Sequence, residues 1–360
     1  MKNRKSIFLA ALTLAIVSAC GEAPQSTPVL PRVDATFNVG ENTYVRSLGI
    51  DPGTNSLWVG TSVGVLEIDI ETELMLNTFT RKDGLANEYV FGIGVDSDGY
   101  KWFGTNAGGA SRYKDGEWQV FFPMHGLADY WIYTFAEQRE KIFWIGTWAG
   151  ANRVDLETMQ ITTVVDELIN EWVYGLAVDS QNRVWFGTEG GVSMLDGETW
   201  SHWTHDDGLG GENALGLPAS INTGLGTRNR HDLSVNVGSS ESYNPNYVFS
   251  TIADSNDAIW AGTWGAGVSR FADGVWASFT TADGLAGNVV YSIAEGPDGV
   301  YWFGTNNGLT RYDGKYWINY GMNEGLLGSD VYAIVVTSDN RVWVGTKGGV
   351  TRLAVPTSDT

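Results

Sequence analysis

The chain has one cysteine in 360 residues, four histidines, nine prolines and about half as many basic as acidic side chains, 22 against 42. A lone cysteine excludes disulfide bonds within the chain. The shortage of cations leaves a formal charge of −20, which repels phosphate backbones and anionic headgroups, so nucleic-acid binding is excluded. No His/Glu spacing matches a zinc helix, and no required metal or cofactor is expected. After a short leader there is no long charge run and no proline-rich linker. With no break in composition, a single domain is the reading, provided that the fold can absorb this length.

The leader reads as a lipoprotein signal. Lys2, Arg4 and Lys5 precede an apolar run from Ile7 to Val17, followed by Val17-Ser18-Ala19-Cys20. That run is too short for a membrane span and ends in small residues. Cys20 is the expected lipid carrier, with residues 1–20 as signal and 21–33, containing Pro24, Pro28 and Pro31, as a flexible tether. The chain is therefore expected at the bacterial envelope, facing periplasm or exterior. Gly21 stands where inner-membrane retention uses aspartate, which favours the outer membrane.

What is abundant is a repeat. Trp-x-Gly-Thr occurs at Trp58, Trp102, Trp144, Trp185, Trp260, Trp302 and Trp343, with gaps of 44, 42, 41, 75, 42 and 41 residues. A unit of this size cannot bury both faces alone, whereas a closed ring of copies leaves no large edge exposed. The fold class is all-β: a seven-bladed β-propeller over residues 34–354, each blade a four-stranded antiparallel sheet, with a tail at 355–360.

In the second copy, Val90–Val95, Lys101–Thr105, Ala110–Tyr113 and Trp118–Phe122 read as strands, separated by Asp96-Ser97-Asp98-Gly99, Asn106-Ala107-Gly108 and Asp115-Gly116. Turn chemistry explains the Asp-x-Asp-Gly better than calcium does, since the later glutamate of a calcium loop is missing. Small residues recur early in the inner strand, at Gly92, Thr134, Gly175, Ser250, Ser292 and Ala333, as expected where blades crowd toward the axis. Tryptophan and glycine of the anchor share one face, so the indole can wedge between blades while the glycine admits a neighbour. The last copy stops after its third strand, and Thr36–Val39 looks like an outer strand without a blade; pairing it beside Val350–Leu353 would close the ring.

Asp-Gly-Leu at 83–85, 207–209 and 283–285, an Asn ahead of an aromatic-Val strand, Trp-x-Gly-Thr, Gly-Gly and Arg-Tyr-Asp-Gly resemble the two-component regulator propeller repeat over about residues 34–354. That resemblance implies an extracytoplasmic sensor for ligands, often oligosaccharides. No transmembrane helix or kinase is read after Leu353, so the binding role, not direct signalling, is what carries over. The repeat is also similar in fold to the metal-dependent lyase that inactivates streptogramins.

Strand order sends the turns between second and third strands, and the links from outer to next inner strand, to one face. Trp131, Trp172, Tyr89 and Tyr247 stand at the start of inner strands on that face, and Trp148 and Trp264 follow the anchor threonine. They read either as plugs capping blade ends or as a stacking platform for sugar rings or other planar ligands. Asn106, Glu189, Asn306 and Lys347 occupy the same turn position and could bond ligand hydroxyls or a carboxylate. An insertion at about 210–244 belongs to this face, and its cluster Arg228, Arg230 and His231 reads as an anion contact or as solvated charge.

The expected function is thus binding, without catalysis, of a small organic or oligosaccharide ligand. A scaffold for an envelope protein is the alternative. A lyase or hydrolase using His125 or His231, with Glu189 as base or metal ligand, is the third reading, and it lacks a nucleophile arrangement.

Overall fold

A computed structural model describes residues 30–220 and 242–355. Twenty-eight strands in these residues form seven four-stranded antiparallel sheets. The inner strands are Val45–Asp51, Val90–Val95, Ile132–Gln138, Val173–Val178, Asn244–Ala253, Val290–Glu295 and Val331–Val336. Each packs against the next, and that of blade 7 packs against that of blade 1, which closes the ring.

Blade 7 is assembled from both ends of the chain. Its sheet runs from the inner strand Val331–Val336 through Val342–Thr346 and Gly349–Ala354 to Arg32–Asn38. The register places Thr36 opposite Thr351 and Phe37 opposite Val350, the closure expected from the sequence. The strand begins at Arg32, so the end of the expected tether is part of the propeller. Phe37 packs on the anchor Trp343 at 5.4 Å, and Arg352 forks onto both carboxylate oxygens of Asp34 at 2.9 Å.

The anchor motif is explained residue by residue. All seven anchor tryptophans are buried, and Trp102 lies 5.0 Å from Phe143 of the following blade. A Cβ on Gly104 would sit 2.7 Å from the Ile132 carbonyl oxygen of the next inner strand, so only glycine permits this approach. Thr105 Oγ1 donates to the Gly109 carbonyl at 2.8 Å, and the other anchor threonines make the corresponding bond, fixing the turn between second and third strands.

The aspartates of the opposite turns are already engaged. Asp96 accepts from the amides of Asp98 and Tyr100, from Trp102 Nε1 at 2.8 Å and from Arg112 at 3.0 Å. Asp179 and Asp254 hold Trp185 and Trp260 in the same way, each at 2.9 Å. Turn and anchor are thus one hydrogen-bonded unit, in keeping with the turn-chemistry reading.

The Asp-Gly-Leu links are capping devices. Asp83 Oδ2 accepts from the Thr80 amide at 2.8 Å, Gly84 takes φ of 121°, and Leu85 is buried. The Thr80 amide also holds the Asp83 carboxyl below the usual carboxylate range.

Cys20, the leader, most of the tether and the tail from residue 356 lie outside the described residues, as do Arg228, Arg230 and His231 of the insertion. Among the described residues, no helix is long and apolar enough to cross a membrane.

Candidate functional site

The turns between second and third strands meet the starts of the inner strands on one face, as backbone bonds record. Asn106 N–H donates to the Tyr89 carbonyl, Trp148 N–H to that of Trp131, Glu189 N–H to that of Trp172 and Asn306 N–H to that of Val289. Lys347 bridges to Tyr44 in the same manner.

The six aromatic residues expected on this face converge into one cluster. Tyr89, Trp131, Trp148, Trp172, Tyr247 and Trp264 pack with Phe91, Tyr133, Tyr174 and Phe249. Trp148 is wedged edge-on between Trp131 at 5.3 Å and Trp172 at 5.6 Å and is 7% exposed. Tyr247 is 1% exposed beneath Trp264, which stacks on it at 5.5 Å with an interplanar angle of 11°. The cluster therefore divides: Trp148 and Tyr247 are packed supports, and Trp131, Trp172, Trp264 and Tyr89 keep part of their surface at the rim. Trp264 Nε1 donates to Ser242 Oγ at 3.1 Å, which puts one foot of the insertion against this sector.

The polar candidates are spread around the rim. Glu189 is buried and accepts from the Tyr174 hydroxyl at 3.3 Å. Asn306 Oδ1 accepts from the Val289 amide at 3.2 Å, and Lys347 lies 5.5 Å from the Tyr44 ring centre. Asn106 is half-buried on the adjoining turn. His125 does not point into the mouth: it is exposed and accepts a hydrogen bond from the Phe122 amide through Nδ1 at 3.0 Å, taking the place that Asp83, Asp207 and Asp283 hold in their links.

Just inside the rim lies a feature that sequence reasoning missed. Every inner strand shifts register around its second ladder residue, between Val45 and Ser47, Val90 and Gly92, Ile132 and Thr134, Val173 and Gly175, Val248 and Ser250, Val290 and Ser292, and Val331 and Ala333. A bulge re-aims the extra side chain. Here it turns Arg46, Phe91, Tyr133, Tyr174, Phe249, Tyr291 and Tyr332 onto the axis, where all seven line one cavity of about 180 Å³.

These seven side chains form an unbroken collar. Phe91 to Tyr133 is 5.1 Å, Tyr133 to Tyr174 4.8 Å, Tyr174 to Phe249 5.9 Å, Phe249 to Tyr291 5.8 Å and Tyr291 to Tyr332 5.1 Å. Arg46 closes the circle, its guanidinium carbon 5.3 Å from the Tyr332 ring centre and 5.4 Å from that of Phe91. Beside the collar, Thr134, Gly175, Ser250, Thr251 and Ser292 line the cavity together with the apolar Leu176 and Ile293. The small residues expected to crowd the axis thus stand beside a ring of large ones.

The electrostatics are one-sided. Burial pushes the phenols of Tyr133, Tyr174 and Tyr332 well above their ordinary range, so they stay neutral hydrogen-bonding groups at physiological pH. Burial also raises the carboxyl of Asp330 at the rim, which accepts from Tyr291 Oη at 3.4 Å. Arg46 is 8% exposed and, among the described residues, has no ion pair; its Nε and Nη1 are buried without a hydrogen-bond partner. An uncompensated buried cation costs several kcal/mol, which cation–π contacts of about 2 kcal/mol each when desolvated offset in part. The collar can hold and orient a ligand through stacking, phenol hydrogen bonds and one fixed positive charge.

Three segments, residues 167–190, 284–307 and 325–348, match the two-component regulator propeller family, so these blades carry that repeat. No curated protein matches the chain. Among solved structures, the extracellular domain assigned to a hybrid two-component system of B. thetaiotaomicron aligns over 88% of this chain with 20% identity and a TM-score of 0.69, and the chain spans 40% of its length. Virginiamycin B lyase from Staphylococcus aureus aligns over 89% of this chain and 99% of its own, with 13% identity and a TM-score of 0.64. YCF48 bound to the D1 peptide aligns over 92% of this chain and 100% of its own, with 11% identity and a TM-score of 0.60. At these identities the likeness is one of fold.

Proposed function

We propose that this propeller is a non-catalytic, extracytoplasmic binding domain, held at the envelope through a lipid on Cys20, which takes a small organic or saccharide ligand at its axial mouth. The observation that carries the reading is the convergence of four rim aromatics and their two packed supports on one mouth, next to a collar of six aromatic side chains and one cation. Flat rings bring large contact area and few rotors to freeze, which suits sugar faces and other planar ligands. The extracellular placement of the B. thetaiotaomicron domain supports the location. The use of His125 in a turn removes one of the two histidines on which the lyase alternative rests.

Screening by thermal shift against glycans and small organic compounds is expected to find a ligand whose affinity falls about tenfold or more in Trp264→Ala and in Trp172→Ala, while the fold is kept. Capture of a single protein partner, undisturbed by any small ligand and unaffected by these substitutions, would instead assign the face to a scaffold. The anchor is checked separately: Cys20→Ser should abolish incorporation of labelled fatty acid and release the protein from membranes, and retention in the membrane fraction would refute the lipid.

A further inference from the structure

We infer that the axial cavity is a seat for a carboxylate, with Arg46 as its cation, so the ligand taken at the mouth carries an acidic group. The inference rests on the binding role just proposed and narrows it to a chemical class.

Seven equivalent positions feed the collar, and six are aromatic. Packing does not require the exception, since a seventh ring would complete the circle that Arg46 now closes through Phe91 and Tyr332. A guanidinium there, nine-tenths buried with two nitrogens unpartnered, is a charged donor without an acceptor. The rim acids do not supply one: Glu189 is engaged by Tyr174, and Asp330 by Tyr291 and Ser329. The small polar residues Ser250, Thr251 and Ser292 also line the cavity, and their hydroxyl oxygens are buried without hydrogen-bond partners. Hydroxyls can donate or accept, and it is the cation at the side that selects an anion.

Charge and size select the kind of anion. Among the described residues, one cation lines the cavity, which compensates a monoanion and leaves a phosphate dianion in excess. The cavity, about 180 Å³, is below the roughly 300–1,000 Å³ of a pocket that swallows a whole ligand. It therefore holds an acidic end while the body of the ligand lies against Trp131, Trp172 and Trp264. A uronate residue and a simple planar carboxylic acid share this chemistry.

The test titrates wild type, Arg46→Met, Arg46→Lys and Trp264→Ala with matched acid and neutral probes at constant ionic strength. The pairs are glucuronate with glucose and benzoate with benzyl alcohol, and acetate is added alone. In wild type, the acid of at least one pair is expected to bind about tenfold or more tighter than its neutral partner, the scale of a hydrogen-bonded charge. Arg46→Met should level that ratio and melt no lower than wild type, because a methionine removes a buried unpaired charge at similar length. Arg46→Lys should keep the preference in weakened form. A larger response to glucuronate than to acetate points to an acidic saccharide, and equal responses point to a free small acid.

Equal affinities within both pairs, no response to any acid, or a preference that survives Arg46→Met would overturn the inference. So would an Arg46→Met protein that melts far below wild type, since that assigns Arg46 to packing. The two proposals fail separately. Equal binding of acid and neutral probes that Trp264→Ala abolishes leaves the mouth as a binding site without the carboxylate seat. An acetate response that survives Trp264→Ala, with no larger probe bound, leaves the seat and removes the mouth.

Discussion

Deletion of residues 33–39 is expected to lower the melting temperature by at least about 10 °C, the largest loss that any short deletion in this chain should cause. The segment supplies the outer strand of blade 7, and without it Gly349–Ala354 becomes an unpaired edge. Phe37 would leave the face of Trp343, and Arg352 would lose the forked carboxylate of Asp34. The first and last blades also meet through their inner strands, the Tyr44–Lys347 bridge, a shared apolar cluster and the Arg341–Glu71 and Arg352–Glu73 ion pairs, so without the strand the ring would be held shut by these contacts alone. Asp34→Ala alone should cost about 1 kcal/mol or less, because that carboxylate is partly exposed. Calorimetry on the two variants separates strand from salt bridge, and an unchanged melting curve in the deletion would refute the closure.

Trp185→Ala is expected to destabilise the fold by about 3–5 kcal/mol, in the range for truncating a buried aromatic. The indole is fully buried, packs 5.3 Å from Trp203 and 5.6 Å from Phe271 of the next blade, and donates to Asp179 at 2.9 Å. Its removal opens a void at the seam between blades and withdraws one donor from a carboxylate that also organises a turn. Trp58→Ala provides the comparison: that indole is equally buried, but its Nε1 has no hydrogen-bond partner. The two losses should differ by about 1 kcal/mol, the worth of the indole–carboxylate bond. Chemical denaturation of both variants gives the numbers, and a smaller loss for Trp185→Ala than for Trp58→Ala would contradict the role given to Asp179.

The blades were legible because each anchor residue has its own steric or hydrogen-bonding duty. A tryptophan that must wedge, a glycine that must admit a neighbouring carbonyl and a threonine that must hold a turn leave little freedom for substitution, so the motif survives seven times. Closure by the N-terminal strand was legible for the same reason: one outer strand was missing at one end and one was spare at the other. The strands of blade 2 fall within one residue of the sequence reading at each boundary.

The collar was hidden by the bulge. Alternation along a strand predicts that small residues such as Gly92 and Ser292 face the axis and that their neighbours do not. The extra residue in each inner strand breaks that period and brings both to the axis. Aligning the seven inner strands would have revealed it, since Arg46 stands alone in a column of Phe91, Tyr133, Tyr174, Phe249, Tyr291 and Tyr332. The rim was legible as a face but not in its depth: the sequence brings Trp148 and Tyr247 to the mouth, and the packing of their neighbours decides that they are supports. His125 misled because its link departs from Asp-Gly-Leu, and a histidine that merely replaces a capping aspartate carries no sign of that duty.

The most direct measurement is the position of a heavy-atom carboxylate in crystals of the complete protein. With 4-bromobenzoate, the bromine signal is expected at the mouth between Trp172 and Trp264, with the carboxylate on Arg46 inside the collar, and both should vanish in Arg46→Met. Bromine found only outside the mouth, or at the mouth with the carboxylate turned away from Arg46, would contradict a ligand site built on the collar.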